Sequence, residues 1–156
     1  MPLIELETVI AAPPERCFDL ARSIDFHMVT AGSTGETAVA GRTSGLIELG
    51  ESVTWRARHL GVWQHLSVKI TALNRPSHFR DEMTRGAFAS MCHDHDFPER
   101  DGHTVMRDRF DYRSPLGPLG LMVDRLFLEQ YLRRFLVLRA EMIKSAAESE
   151  QWKRYA

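Results

Sequence analysis

Residues 88–112 read Phe88-Ala-Ser-Met91-Cys-His93-Asp-His95-Asp-Phe97-Pro-Glu-Arg100-Asp101-Gly102-His103-Thr-Val-Met106-Arg-Asp108-Arg-Phe110-Asp-Tyr112. Two strand-like runs, Phe88 to Phe97 and Thr104 to Tyr112, flank an Asp-Gly pair. That dipeptide favours a two-residue hairpin turn, in which both central residues adopt positive φ. With Asp101-Gly102 as the turn, Arg100 opposes His103. Counting back then sets His95 opposite Asp108, His93 opposite Phe110 and Met91 opposite Tyr112. Alternation assigns the faces. Met106, Phe110 and Tyr112 mark the inner face of the second strand and take Asp108 inward with them. Met91 and Phe97 mark the inner face of the first and carry His93 and His95.

The pattern extends in both directions. In His78 to Arg85, Phe79 and Met83 select the inner face and Asp81 shares it. A three-residue loop Gly86-Ala87-Phe88 sets Met83 opposite Met91 and Asp81 opposite His93, whereas a two-residue loop would break the parity. In Val53 to His59, Val53, Trp55 and His59 point inward and Arg56 and Arg58 outward. Val62 to Leu73 is a further strand, in which Trp63 and His65 have the parity opposite to Leu66, Val68 and Ile70 and read as exposed. The loops between these strands are too short for parallel crossovers, so the strands form an antiparallel meander.

Upstream, Leu3 to Ile10 reads as a first strand. Pro-Pro-Glu at 13–15 opens a short helix to about residue 22, with Phe18 and Ala21 inward, because proline is tolerated in a first turn and Glu15 suits the positive end of the dipole. A second helical piece covers Ile24 to Met28. Downstream of the breaker-rich Ser114-Pro-Leu-Gly-Pro-Leu-Gly120, the chain lacks Gly and Pro until about Ser149. It reads as one long helix, on the order of 40 Å. Its apolar surface, from Leu121 and Met122 through Leu126, Leu132 and Phe135 to Ile143, is wider than a narrow stripe, so it is buried on a wide face or touches something apolar besides its own sheet. Arg133, Arg134, Arg139 and Lys144 read as its solvated side. The class is α+β, with an antiparallel sheet of about seven strands, two short helices after strand 1 and a long C-terminal helix.

The 156 residues suit one domain, with about 150–156 as a loose tail. With 20 basic against 21 acidic residues, the near-neutral balance disfavours nucleic acid as a partner. No secretory leader or membrane span is evident, and two cysteines without metal-type spacing suit a reduced compartment, so a cytoplasmic location is expected. No Gly-rich phosphate loop and no nucleophile elbow occurs, and no cofactor is expected. Cys92 and His93 fall on opposite faces, which excludes a Cys–His nucleophile. An exposed edge strand leaves room for a homo-oligomer.

Ala12-Pro-Pro-Glu-Arg-Cys-Phe18, the segment 45–61 (Gly45-Leu-Ile-Glu-Leu-Gly-Glu-Ser-Val-Thr-Trp-Arg-Ala-Arg-His-Leu-Gly61), Phe79-Arg-Asp-Glu-Met83, Gly86-Ala-Phe88, His93-Asp-His-Asp-Phe97, Asp108-Arg-Phe-Asp-Tyr112 and Pro115-Leu-Gly-Pro-Leu-Gly120 span almost the whole chain in order. Each motif is weak alone, and the ordered set is specific. The chain resembles the SRPBCC superfamily (START, birch-pollen allergen and polyketide cyclase), in particular a bacterial cyclase/dehydrase-like branch. The resemblance implies a helix-grip fold with a cavity between sheet and C-terminal helix. It implies little about chemistry, because the superfamily includes carriers, receptors and cyclases.

The His93/His95 and Asp81/Asp108 group supports four readings. It would orient the polar end of a ligand in an apolar pocket. His95 with Asp108 would act as a general base in cyclisation, dehydration or hydrolysis. Two histidines and a carboxylate would ligate a metal. Or the group satisfies itself as a buried network. The leading expectation is binding or carriage of a small, largely apolar molecule with one polar end. The expected lining is Trp55, His59, Phe79, Asp81, Met83, Met91, His93, His95, Phe97, Asp108, Phe110, Tyr112, Met122 and Leu126, with the apolar end along the helix from about Leu119 to Phe135 and no metal. An enzyme working through His95 and Asp108 and a protein-interaction module with a closed cavity are the alternatives.

Overall fold

The computed structural model describes residues 2–115, 117–123 and 127–156. Strand β1 (Leu3–Ile10) leads into α1 (Pro14–Arg22) and α2 (Ile24–Thr30). Then come β2 (Thr37–Gly41), β3 (Ser52–His59), β4 (Val62–Asn74), β5 (His78–Arg85), β6 (Ser90–Asp96), β7 (Glu99–Arg100) and β8 (His103–Arg113). Helices α3 (Gly117–Val123) and α4 (Glu129–Ala147) and a 3-10 turn (Glu150–Arg154) complete the described chain.

Local chemistry accounts for the helix starts. α1 has proline in its first turn and Glu15 beside it, and Ser23 caps α2 by accepting the Phe26 amide at 3.2 Å. All strand pairs are antiparallel, in the order β1-β8-β6-β5-β4-β3-β2, with β7 pairing β8. β7 carries the line of β6 past Pro98, since Arg100 faces His103 and His95 faces Asp108 in one continuous register. Asp101 and Gly102 take φ of 53° and 76°, as an Asp-Gly turn requires. Leu60 and Gly61 make the β3–β4 turn in the same way, at 53° and 81°. Register shifts on the β4–β5 and β2–β3 ladders mark bulges, which bend a sheet and increase its local twist.

The expected register holds: His93 faces Phe110, Met91 faces Tyr112 and Asp81 faces His93. Several expectations are corrected. β2 is a strand that the sequence does not announce, because Thr-Ala-Val-Ala-Gly is short, has no aromatic residue and sits mostly exposed, without apolar alternation. The last helical region begins earlier than expected, at Gly117, and α4 is its long C-terminal helix; 124–126 lie outside the described residues. Residues 150–156 are not a loose tail. Trp152 and Tyr155 pack on the core, and the Tyr155 ring lies 5.1 Å from Phe26.

The core fills the end where α1 and α2 meet the sheet. Phe18, fully buried, sets its ring edge-on to Phe79 at 5.3 Å and to Phe97 at 5.4 Å. α4 approaches β1, α1 and α2 closely but has few close backbone approaches to the middle strands among the described residues. Large side chains must bridge that separation or leave it open.

Candidate functional site

The separation is partly open. A cavity of about 280 Å³ lies between the inner face of β3–β8 and α4. Trp55, Ala57 and His59 of β3 border it, as do Leu66 and Val68 of β4, Met91 and His93 of β6, and Phe110 of β8. α4 and the residue before it contribute Leu128, Tyr131, Leu132, Phe135 and Arg139. A second cavity of about 80 Å³ reaches toward α1 and α2, and Trp55, Asp81, His93, His27 and Arg139 border both.

The polar groups are crossed relative to the strand register. His95 faces Asp108 across β6–β8, yet its Nε2 bonds Asp81 Oδ2 at 2.9 Å. His93 faces Phe110, and its Nε2 bonds Asp108 Oδ1 at 3.0 Å. His95 Nδ1 lies 3.1 Å from the same Asp108 oxygen, close enough for ion pairing but outside hydrogen-bond geometry. The imidazoles are 3.8 Å apart between ring centres, and Phe79 stacks on His95 at 4.2 Å. His93, His95 and Asp108 are buried.

These contacts split the two histidines. Burial opposes charge on both rings. For His95 the Asp108 and Asp81 carboxylates together outweigh burial and raise its pKa. For His93, burial together with the neighbouring His95 charge outweighs Asp108 and lowers it. Burial would raise the two carboxyls. The His95 bond overcomes this at Asp81, and the His93 bond with the adjacent His95 ring overcomes it at Asp108, so both stay below the ordinary carboxylate range.

Of the expected lining, Trp55, His59, Asp81, Met91, His93 and Phe110 border the larger cavity, and Phe79 and His95 only the smaller. Phe97 and Tyr112 are core, Asp108 lies behind His93, and Met83 packs half-buried against the core. Met122 and Leu119 are exposed, and among the described residues the apolar wall supplied by the helix runs from Leu128. Leu126 lies outside the described residues. Trp63 and His65 are exposed as expected, although His65 also borders the larger cavity.

Four contributors escape a reading of the sequence. His27 stacks on Trp55 at 4.0 Å and bonds Glu36 at 2.7 Å. Burial would raise the Glu36 carboxyl, but the His27 charge and bond hold it low. Tyr131 hydroxyl bonds His59 Nδ1 at 2.7 Å and ties the end of β3 to α4. Arg139 is 8% exposed, contrary to its reading as a solvated charge. Its signal is present in the sequence: Leu132, Leu136, Arg139 and Ile143 follow helical spacing, which places the guanidinium on the apolar face.

Asp81, His93 and His95 each offer one ligand atom within 4.8 Å of the others, so they are the described residues that could hold a metal. The fit is poor. Nε2 of each ring is already bonded to a carboxylate, and the buried Arg139 cation borders the same small cavity. As a general base His95 is equally constrained, because Nε2 is bonded to Asp81 and Nδ1 is held against Asp108.

No family model and no curated protein matches the chain by sequence. Solved structures match it over nearly its whole length. TTHA0849 from Thermus thermophilus superposes with a TM-score of 0.72 at 18% identity, covering 94% of this chain and 99% of that one. Ginseng major latex-like protein 151 from Panax ginseng gives 0.69 at 15%, covering 94% and 97%. A START superfamily protein from Mycobacterium smegmatis gives 0.69 at 12%, with the same coverages. The chain has the helix-grip fold. At such identities the likeness concerns architecture alone, and within the helix-grip frame the chemistry must be argued from this chain's own side chains.

Proposed function

We propose that residues 1–156 form one helix-grip domain that binds or carries a small, largely apolar molecule with one polar end, in the cavity between sheet and α4. The observation that carries this reading is the cavity of about 280 Å³ left where α4 stands off the middle strands. It sits at the small end of the roughly 300–1,000 Å³ common for ligand pockets. Its walls are mainly aliphatic and aromatic, with Asp81, His93, His27, Glu36 and Arg139 gathered at one group of polar positions and His59, Gln64, His65 and Tyr131 supplying the others. That is the usual make-up of a small-molecule site, in which few polar groups set orientation. Among the described residues no helix is long and apolar enough to cross a membrane. An enzymatic role through His95 and Asp108 is disfavoured, because His95 Nε2 is bonded to Asp81, Nδ1 is buried against Asp108, and the ring borders only the smaller cavity.

Mass spectrometry of the natively purified protein tests the proposal. The expected result is a co-purified apolar molecule that is lost from Ala57→Phe, because Ala57 is 4% exposed and borders the cavity. The added ring costs about 1–3 kcal/mol in overpacking, so circular dichroism must confirm that the variant remains folded. The same molecule retained by a folded Ala57→Phe would overturn the assignment of the cavity.

A further inference from the structure

The buried charges of the site do not close among themselves. Each acid of the site has an imidazole partner: Glu36 with His27, Asp81 with His95 and Asp108 with His93. Arg139 has none. Its Nη2 donates to the Ala21 carbonyl at 2.8 Å, its Nε is buried without a hydrogen-bond partner, and among the described residues no carboxylate forms an ion pair with it. Its charge acts on Glu36 and Asp81 only through space. A guanidinium left unpaired in the interior is costly, since it gives up hydration without a full set of acceptors. It also cannot escape by losing its proton. Arg139 is more than nine-tenths buried and borders both cavities, at the boundary between the apolar space and the His/Asp network.

We propose that the polar end of the ligand is a carboxylate, and that Arg139 is the residue that holds it. The inference rests on the carrier reading and names its ligand class, a small aromatic or aliphatic carboxylic acid. A planar guanidinium presents several donors in a fixed fork that matches a carboxylate. The N–H donors of the guanidinium that the Ala21 carbonyl leaves unused supply this fork, and the apolar remainder of the acid lies against Leu132, Phe135 and Trp55.

Naphthaleneacetic acid and the neutral naphthaleneethanol, alike in size and ring, separate the outcomes by isothermal titration calorimetry. The wild-type protein should bind the acid on the order of 10- to 100-fold more tightly, the range of a hydrogen bond to a charged group. Arg139→Met should abolish that preference while still binding the alcohol, and Arg139→Gln is the substitute if Arg139→Met does not fold. Equal binding of both probes by the wild type, or an acid preference that survives loss of the guanidinium, would overturn the assignment and leave the carrier reading intact. Failure of both probes to bind would overturn the carrier reading and this inference together.

Discussion

Asp108→Asn tests whether the crossed His/Asp network stabilises the protein as its geometry implies. One oxygen of Asp108 receives His93 Nε2 at 3.0 Å and lies 3.1 Å from His95 Nδ1, with the carboxylate buried beneath both rings. An amide of the same shape keeps an acceptor for His93 but removes the anion that His95 relies on. Removing one partner of a buried ion pair costs about 3–5 kcal/mol, and a retained neutral hydrogen bond recovers about 1 kcal/mol. The net expectation is a loss of roughly 2–4 kcal/mol at pH 7. For a chain of this size that lowers Tm by about 10 °C.

The pH dependence supplies an independent check. The Asp108 carboxyl is held below its unfolded value of about 3.9, so its stabilisation is complete above that value and fades as pH falls toward its folded pKa. The gap between wild type and variant should therefore narrow on acidification below about pH 4. The two histidines act in opposite directions around their unfolded value of about 6.5. His95, raised, stabilises below that value and loses its contribution as pH rises through its folded pKa. His93, lowered, stabilises above it and loses its contribution as pH falls. In the wild type these slopes oppose each other near neutrality. In Asp108→Asn the support for charge on His95 is weakened, so stability should tilt upward with pH. Thermal unfolding followed by circular dichroism from about pH 3 to 8, with NMR titration of His95, reads both effects. A Tm loss under about 2 °C, corresponding to less than roughly 1 kcal/mol, or a gap that does not change with pH, would refute the reasoning.

Phe18→Ala removes a fully buried ring that sits edge-on to Phe79 and Phe97. It should cost about 3–5 kcal/mol in urea unfolding, and a loss below about 1 kcal/mol would show that this end of the core collapses around the gap. Gly102→Ala meets no atom within 4 Å but forces a side chain onto φ of 76°. Its expected cost is about 1–2 kcal/mol, with Asp101 unaltered, and an unchanged urea midpoint would contradict the turn geometry. Equimolar zinc should leave Tm unchanged, because Nε2 of His93 and of His95 is bonded to a carboxylate and Arg139 stands beside them. A zinc-dependent rise in Tm that disappears in His93→Ala would establish a metal site there.

The hairpin at 101–102 was legible because two independent signals agreed. Turn chemistry fixed the register and apolar parity fixed the face, and each would fail alone. That agreement placed His93, His95, Asp81 and Asp108 on one inner surface. The hydrogen bonds were not legible. Register names the directly opposed residue, but an imidazole reaches diagonally as easily as straight across, and the stacking of Phe79 on His95 turns that ring toward Asp81. β2 was illegible for a different reason. Its exposed Ala and Thr positions carry no apolar alternation, and its place at the sheet edge requires none.

Arg139 shows how local context misleads at a site. Among Arg133, Arg134 and Lys144 it looks like one more solvated charge, yet helical spacing places it with Leu132, Leu136 and Ile143. A charge on the apolar stripe of a helix conflicts with the pattern that folds the helix, and such conflicts persist where the interior offers an acceptor or where function requires one. Here the interior offers Ala21 carbonyl to one nitrogen and nothing to Nε. Were Arg139 purely structural, a methionine of similar length would relieve the unpaired charge and raise Tm, as replacement of buried charges by apolar side chains often does. The same substitution would leave the choice between acid and alcohol unaltered. A gain in stability coupled to a loss of acid preference is therefore the signature that separates a ligand anchor from a misplaced cation.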